Sequence, residues 1–390
     1  MKVGLVSGVC APTRGGGVAE VVSALLNHLE ANGIEVVLFT SNKQPNPHVR
    51  THIVSKNPVR FPISLSLPRN QKALRECDLL NLQAGSALGL GLAKKLGYSN
   101  MPPVVTTFHV SPFREAKSVH GTRFEKGLAV SPTTGEYFSK YIKYRTTAAS
   151  FYFELSASSG MTAVSSVTRK EIAEDFGIPL ERIKVVHNGI DLEFVSEESH
   201  GDEKENPGSI ILCVGVFRIR KGMHHLVRAA SKIFNSHKDA TIVFLGYHKG
   251  YERQLRKISR YFGVEESITY CGNVSRGQLM QWYRKATVVV VPSIYEGFPM
   301  VVLESLASGT PVVATRVGGI EEIVQNTKTG YLVDPNNSQS LADAIIMVLD
   351  DPKYSRLMAR RGRSLIKKKF NWNHIAKKYI KVYEGVLGQQ

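Results

Sequence analysis

Short runs of β-branched and aliphatic residues alternate with amphipathic helical patterns along this chain, and that alternation restricts the fold more than any other feature. Residues 3–6, 36–39, 78–82 and 104–108 read as strands, with a helical pattern over 19–32 between the first two, closed by Gly33. Strands this uniformly apolar are buried on both faces, and a helix between successive strands is a crossover. The pattern therefore predicts a parallel sheet covered by helices on both sides. It then restarts, with strands over 210–216, 240–245, 267–271 and 287–292 and crossovers over 223–235, 251–262 and 276–285. Residues 193–208 between the two runs contain almost nothing apolar and end in Asn206-Pro207-Gly208, as a linker does. The expected organisation is an N-terminal Rossmann-like domain over 1–192, the linker 193–208, a second Rossmann-like domain over 209–369 and a closing helix over 370–390. Ile375, Tyr379, Val382 and Tyr383 share one face of that helix. Ligands of doubly wound sheets bind outside the carboxyl ends of the strands, so the loops there, facing a central cleft, are where function is sought.

Composition agrees and narrows the partners. At 43% hydrophobic and 21% charged, the chain can build a packed core and is not wholly disordered. Lys and Arg exceed Asp and Glu by 50 to 33, a net charge of +17 shared by both halves rather than concentrated in a tail. Such a surface favours polyanions: phosphorylated ligands, anionic lipid or nucleic acid. No helix-turn-helix, RNA-recognition or zinc-finger pattern accompanies the charge, so nucleic acid is not expected. Cys10, Cys77, Cys213 and Cys271 lie far apart without a C-x-x-C pair, the pattern of free thiols in a reducing compartment. No apolar stretch approaches the ~18 residues of a spanning helix. The first residues run straight into Arg14-Gly15-Gly16-Gly17 and read as a buried strand, not a leader. The expected location is the cytoplasm.

The densest chemical signal lies at 292–315. A buried strand stops at Pro292, a Gly297-Phe298-Pro299 turn follows, and a helix begins near Pro299, a residue tolerated at a first helical position. Free amides at that helix start, around Met300 and Val301, can receive a phosphate. Glu296 stands just before the helix and Glu304 about two turns inside it. One carboxylate can thus reach a polyol beyond the phosphate while the other holds a second polyol behind it, which is the layout of a nucleotide sugar. A surface turn followed by a helix with a solvated glutamate would leave the same two residues in the sequence.

The string as a whole resembles the E-x7-E segment of the retaining family-4 glycosyltransferases (glycosyltransferase group 1), whose fold is GT-B: two Rossmann-like doubly wound domains facing a central cleft. Other segments match the family in the same order and extend the resemblance over nearly the whole chain. Gly15-Gly16-Gly17 is similar to the family's glycine loop, which implies that Gly16 and Gly17 let backbone amides approach the donor phosphate. Residues 104–109 resemble the strand ending in a histidine, His109, that faces the donor hexose. His187-Asn188-Gly189-Ile190-Asp191 resembles the loop before the linker. Lys221-Gly222 falls where the family holds the diphosphate with a lysine. The arginine that usually follows the preceding glycine is replaced by Val216, leaving Arg218 or Arg220 to supply the second cation. Cys271-Gly272-Asn273 matches the loop that contacts the base, with Gly272 at its centre, and Phe370-Asn371-Trp372 matches the closing segment. The resemblance assigns catalysis to His109, Glu296 and Lys221. It assigns donor binding to Gly16, Gly17, Arg218, Lys221, Gly272, Gly297, Phe298, Met300, Val301 and Glu304.

The implied reaction is retaining transfer of a hexose-type sugar from a UDP- or GDP-linked donor to an acceptor hydroxyl. No bound cofactor is implied. The sequence holds no D-x-D, the pair by which another glycosyltransferase fold binds a divalent metal, so transfer without metal is expected; G-x-S-x-G and G-x-x-x-x-G-K-[ST] are also missing. The acceptor is a lipid or lipid-linked glycan, or else a soluble sugar or sugar phosphate. A sugar epimerase or phosphorylase on the same fold and a non-catalytic polyanion-binding protein are the remoter alternatives. Two basic stretches bear on the choice. Residues 356–381 hold Lys367-Lys368-Lys369 and no acidic residue, and residues 138–145 mix Lys140, Lys143 and Arg145 with Phe138, Tyr141 and Tyr144. On an amphipathic helix such residues suit an anionic membrane surface, which gives peripheral attachment to the cytoplasmic face as a second address.

Overall fold

A computed structural model describes residues 1–8, 16–41, 48–55, 61–83, 101–118, 151–152, 154–191, 208–247 and 250–389. The chain divides into two units. Met1–Arg114, Thr133–Gly189 and Trp372–Gln390 form the first, and Glu115–Pro132 with Ile190–Asn371 the second.

In the first unit, β1 (Lys2–Val6), β2 (Glu35–Thr40), β3 (Thr51–Ile53), β4 (Leu79–Gln83), β5 (Val104–Phe108), β6 (Gly160–Ala163) and β7 (Ile183–Val185) form one sheet in the order β3-β2-β1-β4-β5-β6-β7. Every neighbouring pair is parallel. The helix Gly17–Ala31 follows β1 and buries Val21, Val22, Leu25, Leu26 and Leu29, the stripe that its apolar periodicity predicts. The helix Trp372–Leu387 returns to this unit from the far end of the chain. Its Trp372, Tyr379 and Tyr383 are buried, Trp372 stacks on His28 with ring centroids 6.2 Å apart, and its Val386 packs against Gly160 at the start of β6.

In the second unit, β8 (Ile210–Val214), β9 (Thr241–Leu245), β10 (Ile268–Cys271), β11 (Val288–Val291), β12 (Val312–Thr315) and β13 (Tyr331–Val333) form a parallel sheet in the order β10-β9-β8-β11-β12-β13. The helices Met223–Ser236 and Ser338–Asp350 cover it, with Leu226, Ile233, Leu341 and Ile345 joining Ile211, Ile242 and Val290 in one core. Each such side chain contributes about 1.5–3 kcal/mol on burial. In both sheets the strand order reverses direction beside the first strand, between β1 and β4 and between β8 and β11. Chain entering on one side of such a point leaves an opening at the carboxyl ends of the two strands, where ligands of doubly wound sheets bind.

Several expectations are adjusted by this structure. The strand 210–216 ends at Val214 because Gly215 (φ +154°) turns the chain, and the strand 287–292 ends at Val291, before Pro292. The acid-free basic stretch 356–381 is not one helical face. It is split between the helix Pro352–Lys369 of the second unit and the helix Trp372–Leu387 of the first, broken where the Ile190 amide donates to the Phe370 carbonyl at 2.7 Å. The basic-aromatic stretch 138–145, residues 193–207 of the linker, Gly15 and Cys10 lie outside the described residues. Cys77, Cys213 and Cys271 are free thiols. The H-x-x-x-H spacing at His48 and His52 leads into β3 rather than lying on a helix, and His52 Nε2 sits 2.9 Å from Asn70 Oδ1. Among the described residues no cluster of His, Cys, Asp and Glu is arranged for a metal ion, and no helix is long and apolar enough to cross a membrane.

Candidate active site

The second sheet builds its site from the loops that leave β8 and β11. After β8 the chain makes a short 3-10 turn, Ile219–Lys221, and enters the helix Met223–Ser236 through Gly222. Gly222 has φ +64°, and a Cβ there would lie 1.8 Å from the Pro292 carbonyl oxygen, so the position accepts glycine alone. That close approach brings the two loops together, and the Ile294 amide donates to the Arg220 carbonyl at 2.8 Å.

Three side chains then converge on Glu296. Lys221 Nζ donates to Glu296 Oε1 at 2.5 Å, Ser293 Oγ donates to the same oxygen at 2.8 Å, and Arg220 Nη1 lies 3.4 Å from Oε2. Arg220 also donates to the Tyr295 carbonyl at 3.2 Å. Glu296 is only 5% exposed. Burial alone would raise its carboxyl pKa, but Lys221 and Arg220, helped by the Ser293 hydroxyl, outweigh it and hold the group below the usual carboxylate range. The Arg220 guanidinium is raised in turn: its own burial works against the charge, and Glu296 and Glu115 overcome it. The result is a buried carboxylate with two cations beside it.

The turn beyond is fixed by its backbone. The Gly319 amide donates to the Gly297 carbonyl at 2.7 Å, and the Phe298 ring packs on Phe370 with centroids 5.6 Å apart. Pro299 caps the helix Met300–Ala307 from an extended conformation, one position earlier than a first helical residue. Met300 and Val301 are half-buried in its opening turn. Glu304 is only 6% exposed and accepts a 2.7 Å bond from the Tyr283 hydroxyl, so it is not a solvated surface glutamate.

The other predicted residues are placed as follows. Arg218 is exposed and precedes the 3-10 turn, so Arg220 rather than Arg218 reaches the Lys221–Glu296 cluster, and Val216 is half-buried. Gly272 is exposed just after β10. In the first unit, Gly16 (φ +136°) precedes the helix that Gly17 opens, and its carbonyl accepts from the Glu20 amide. His109 follows β5, with Nε2 2.7 Å from Gln83 Oε1 at the end of β4. Burial pushes its imidazole down to about 4, so it is neutral near pH 7. Ser293, Tyr283 and Gln83 were not anticipated. Ser293 lies inside the conspicuous string, whereas Tyr283 is 21 positions from Glu304 and Gln83 is 26 from His109, with no local pattern to mark either.

Comparison with known proteins bears on the family and the fold. The family model described as Glycosyltransferase Family 4 matches residues 15–194, and the one described as Glycosyl transferases group 1 matches residues 195–365. An uncharacterized glycosyltransferase of Methanocaldococcus jannaschii, MJ1607, is 32% identical over 60% of this chain and 62% of its own length, so the match spans less than two thirds of that relative. A D-inositol 3-phosphate glycosyltransferase of Pseudarthrobacter chlorophenolicus is 26% identical over 95% of this chain and 91% of its own. Among solved structures, HepE of Anabaena in complex with UDP-glucose superposes with a TM-score of 0.75 at 18% identity, covering 99% of this chain and 100% of that one, a likeness of fold.

Proposed function

Because this chain belongs to the family 4, group 1 glycosyltransferases of GT-B fold, we propose that it moves a hexose-type sugar from a nucleotide diphosphate sugar to an acceptor hydroxyl, retaining anomeric configuration and using no divalent metal. The observation that carries this reading is the pair of cations, Lys221 and Arg220, on the buried carboxylate Glu296 immediately before the helix Met300–Ala307.

Cleaving the anomeric C–O bond sends its electron pair to the leaving β-phosphate oxygen and leaves positive charge on the sugar. Lys221, Arg220 and the first amides of the helix Met300–Ala307 are fixed before substrate arrives, so they stabilise the growing negative charge without reorganising. Glu296, held in place by its two cations and Ser293, positions a hexose hydroxyl, and Glu304, oriented by Tyr283, holds the ribose. His109 of the first unit is assigned to catalysis by the family resemblance. The departing phosphate oxygen takes the proton of the acceptor hydroxyl, which then attacks from the face the phosphate leaves, so configuration is retained.

The donor is UDP- or GDP-linked, and the UDP-glucose bound to the Anabaena protein supports the first. The acceptor is a lipid or lipid-linked glycan, or else a soluble sugar or sugar phosphate. The net charge of +17 suits either, and the name of the Pseudarthrobacter relative supports a soluble sugar phosphate. A lipid acceptor would go with peripheral attachment to an anionic membrane face. The test is a screen of UDP-, GDP- and ADP-sugars for a rise in melting temperature, followed by release of free nucleoside diphosphate on adding acceptor. A donor that binds and a sugar that transfers with retention support the proposal, and a screen with no protecting nucleotide sugar refutes it.

A further inference from the structure

A line of buried amides behind His109 carries one fixed direction. Asn81 on β4 is fully buried, and its Nδ2 lies 3.3 Å from the Val105 carbonyl oxygen and 3.1 Å from Thr107 Oγ1 on β5. A backbone carbonyl can only accept, so the amide nitrogen of Asn81, not its oxygen, must face β5. Asn81 Oδ1 then points along its own strand and accepts from Gln83 Nε2 at 2.6 Å. Gln83, 1% exposed, is thereby oriented in turn, with Oε1 facing His109 Nε2 at 2.7 Å. An amide oxygen has no proton to give, so the proton in that bond belongs to the imidazole. Thr162 Oγ1 on β6 donates to Thr107 Oγ1 at 2.9 Å, which ties the line to the next strand of the sheet.

From this order we infer that Gln83 is a positioning residue that, with Asn81 and the Val105 carbonyl behind it, locks His109 in the Nε2–H tautomer and leaves Nδ1 as a hydrogen-bond acceptor for a sugar hydroxyl. The inference rests on the glycosyltransferase reading for the nature of the ligand; the tautomer does not depend on it. A site that accepts from a hydroxyl discriminates against the deoxy sugar, because the ring nitrogen is then left without its partner. A neutral imidazole is required, since a protonated one presents donors at both nitrogens. Burial of His109 keeps it neutral.

The direct test uses the full-length protein labelled with 15N-histidine, without ligand, with His109→Asn identifying the resonance. Two-bond proton–nitrogen correlations should show a protonated Nε2 and a bare Nδ1 across neutral pH. A bare Nε2, or two tautomers in exchange, overturns the lock. The second arm is Gln83→Glu, whose carboxylate still accepts from Nε2 but favours the imidazolium. Its transfer rate should recover as pH rises, with a midpoint above that of the parent, while the parent stays flat between about pH 5 and 8. A loss that is equal at every pH means that Gln83 is merely structural and also overturns the proposal. If Gln83→Glu does not fold, the parent spectrum still decides. A locked tautomer in a protein that transfers no sugar refutes the glycosyltransferase reading and leaves the lock standing.

Discussion

Replacing Lys221 by alanine tests the physics of the site independently of any substrate. The substitution removes the 2.5 Å partner of a carboxylate that is 5% exposed, leaving Ser293 at 2.8 Å and Arg220 at 3.4 Å. Removing one member of a buried pair costs about 3–5 kcal/mol because the other charge stays behind. With Arg220 still present, about 3 kcal/mol is expected, near a hundredfold in an equilibrium constant. The pH dependence gives the sign. In the parent the Glu296 pKa is depressed, so its contribution is complete above the unfolded carboxyl value of about 4.3 and is lost as pH falls through the lower folded value. Without Lys221 the burial that opposes ionisation dominates, the folded pKa lies above the unfolded one, and stability rises as Glu296 takes up a proton. The assay is hydrogen-exchange protection of β8 and β11 at increasing urea, which reads the second unit by itself, at pH 7 and near pH 4. Adding Glu296→Gln to Lys221→Ala should restore most of the loss, since the stranded charge disappears. Stability within about 0.5 kcal/mol of the parent, the range of an ordinary surface substitution, together with an unchanged acid slope, would refute the argument.

Further expectations concern other parts of the molecule. Glu304→Ala should weaken donor binding by about 1–3 kcal/mol, the cost of losing hydrogen bonds to a charged group, measured by calorimetry with the nucleoside diphosphate. Gly222→Ala should lose most folded protein in the second unit, because its Cβ would lie 1.8 Å from a carbonyl oxygen at a positive φ; a parent-like urea midpoint would show that the loops separate without cost. Transfer should continue in a chelator, and activity abolished by it and restored by Mn²⁺ would contradict the metal-free proposal. Co-sedimentation with anionic vesicles should fall with salt and on charge reversal at Lys140, Lys143 and Arg145, and equal negligible binding to neutral and anionic vesicles at low salt would end the membrane proposal.

The parts of the fold that could be read from the residues are those whose physics is local. β1, β2, β4 and β5 and their counterparts β8 to β11 are apolar runs flanked by turn residues, and the helix Arg276–Lys285 begins at a capping box formed by Ser275 and Gln278. β3, β7 and β13 escape because three residues are too few for any periodicity, and each is set by the sheet edge it joins; β6 escapes because Gly160-Met161-Thr162-Ala163 has no strand-like composition and is set by its pairing with β5 and β7. The site divides the same way. Glu296, Glu304 and Lys221 stand out in sequence, but which arginine joins them depends on the direction in which a 3-10 turn aims Arg220. Burial of Glu304 against Tyr283, and of His109 against Gln83, arises from contacts between elements distant in sequence.

The return of the last helix to the first sheet has a consequence for how the protein is made. The ribosome delivers the chain in order, and domains generally fold as they emerge. The first unit emerges first but lacks Trp372, Tyr379 and Tyr383, three of its largest buried side chains, until residues 190–371 have been synthesised. Ile190–Asn371, which makes up most of the second unit, is available before them. The nascent chain therefore completes its domains in the reverse of their order of synthesis. Until then the apolar stripe of Gly17–Ala31, against which Trp372–Leu387 will pack, lacks its cover and is open to a chaperone.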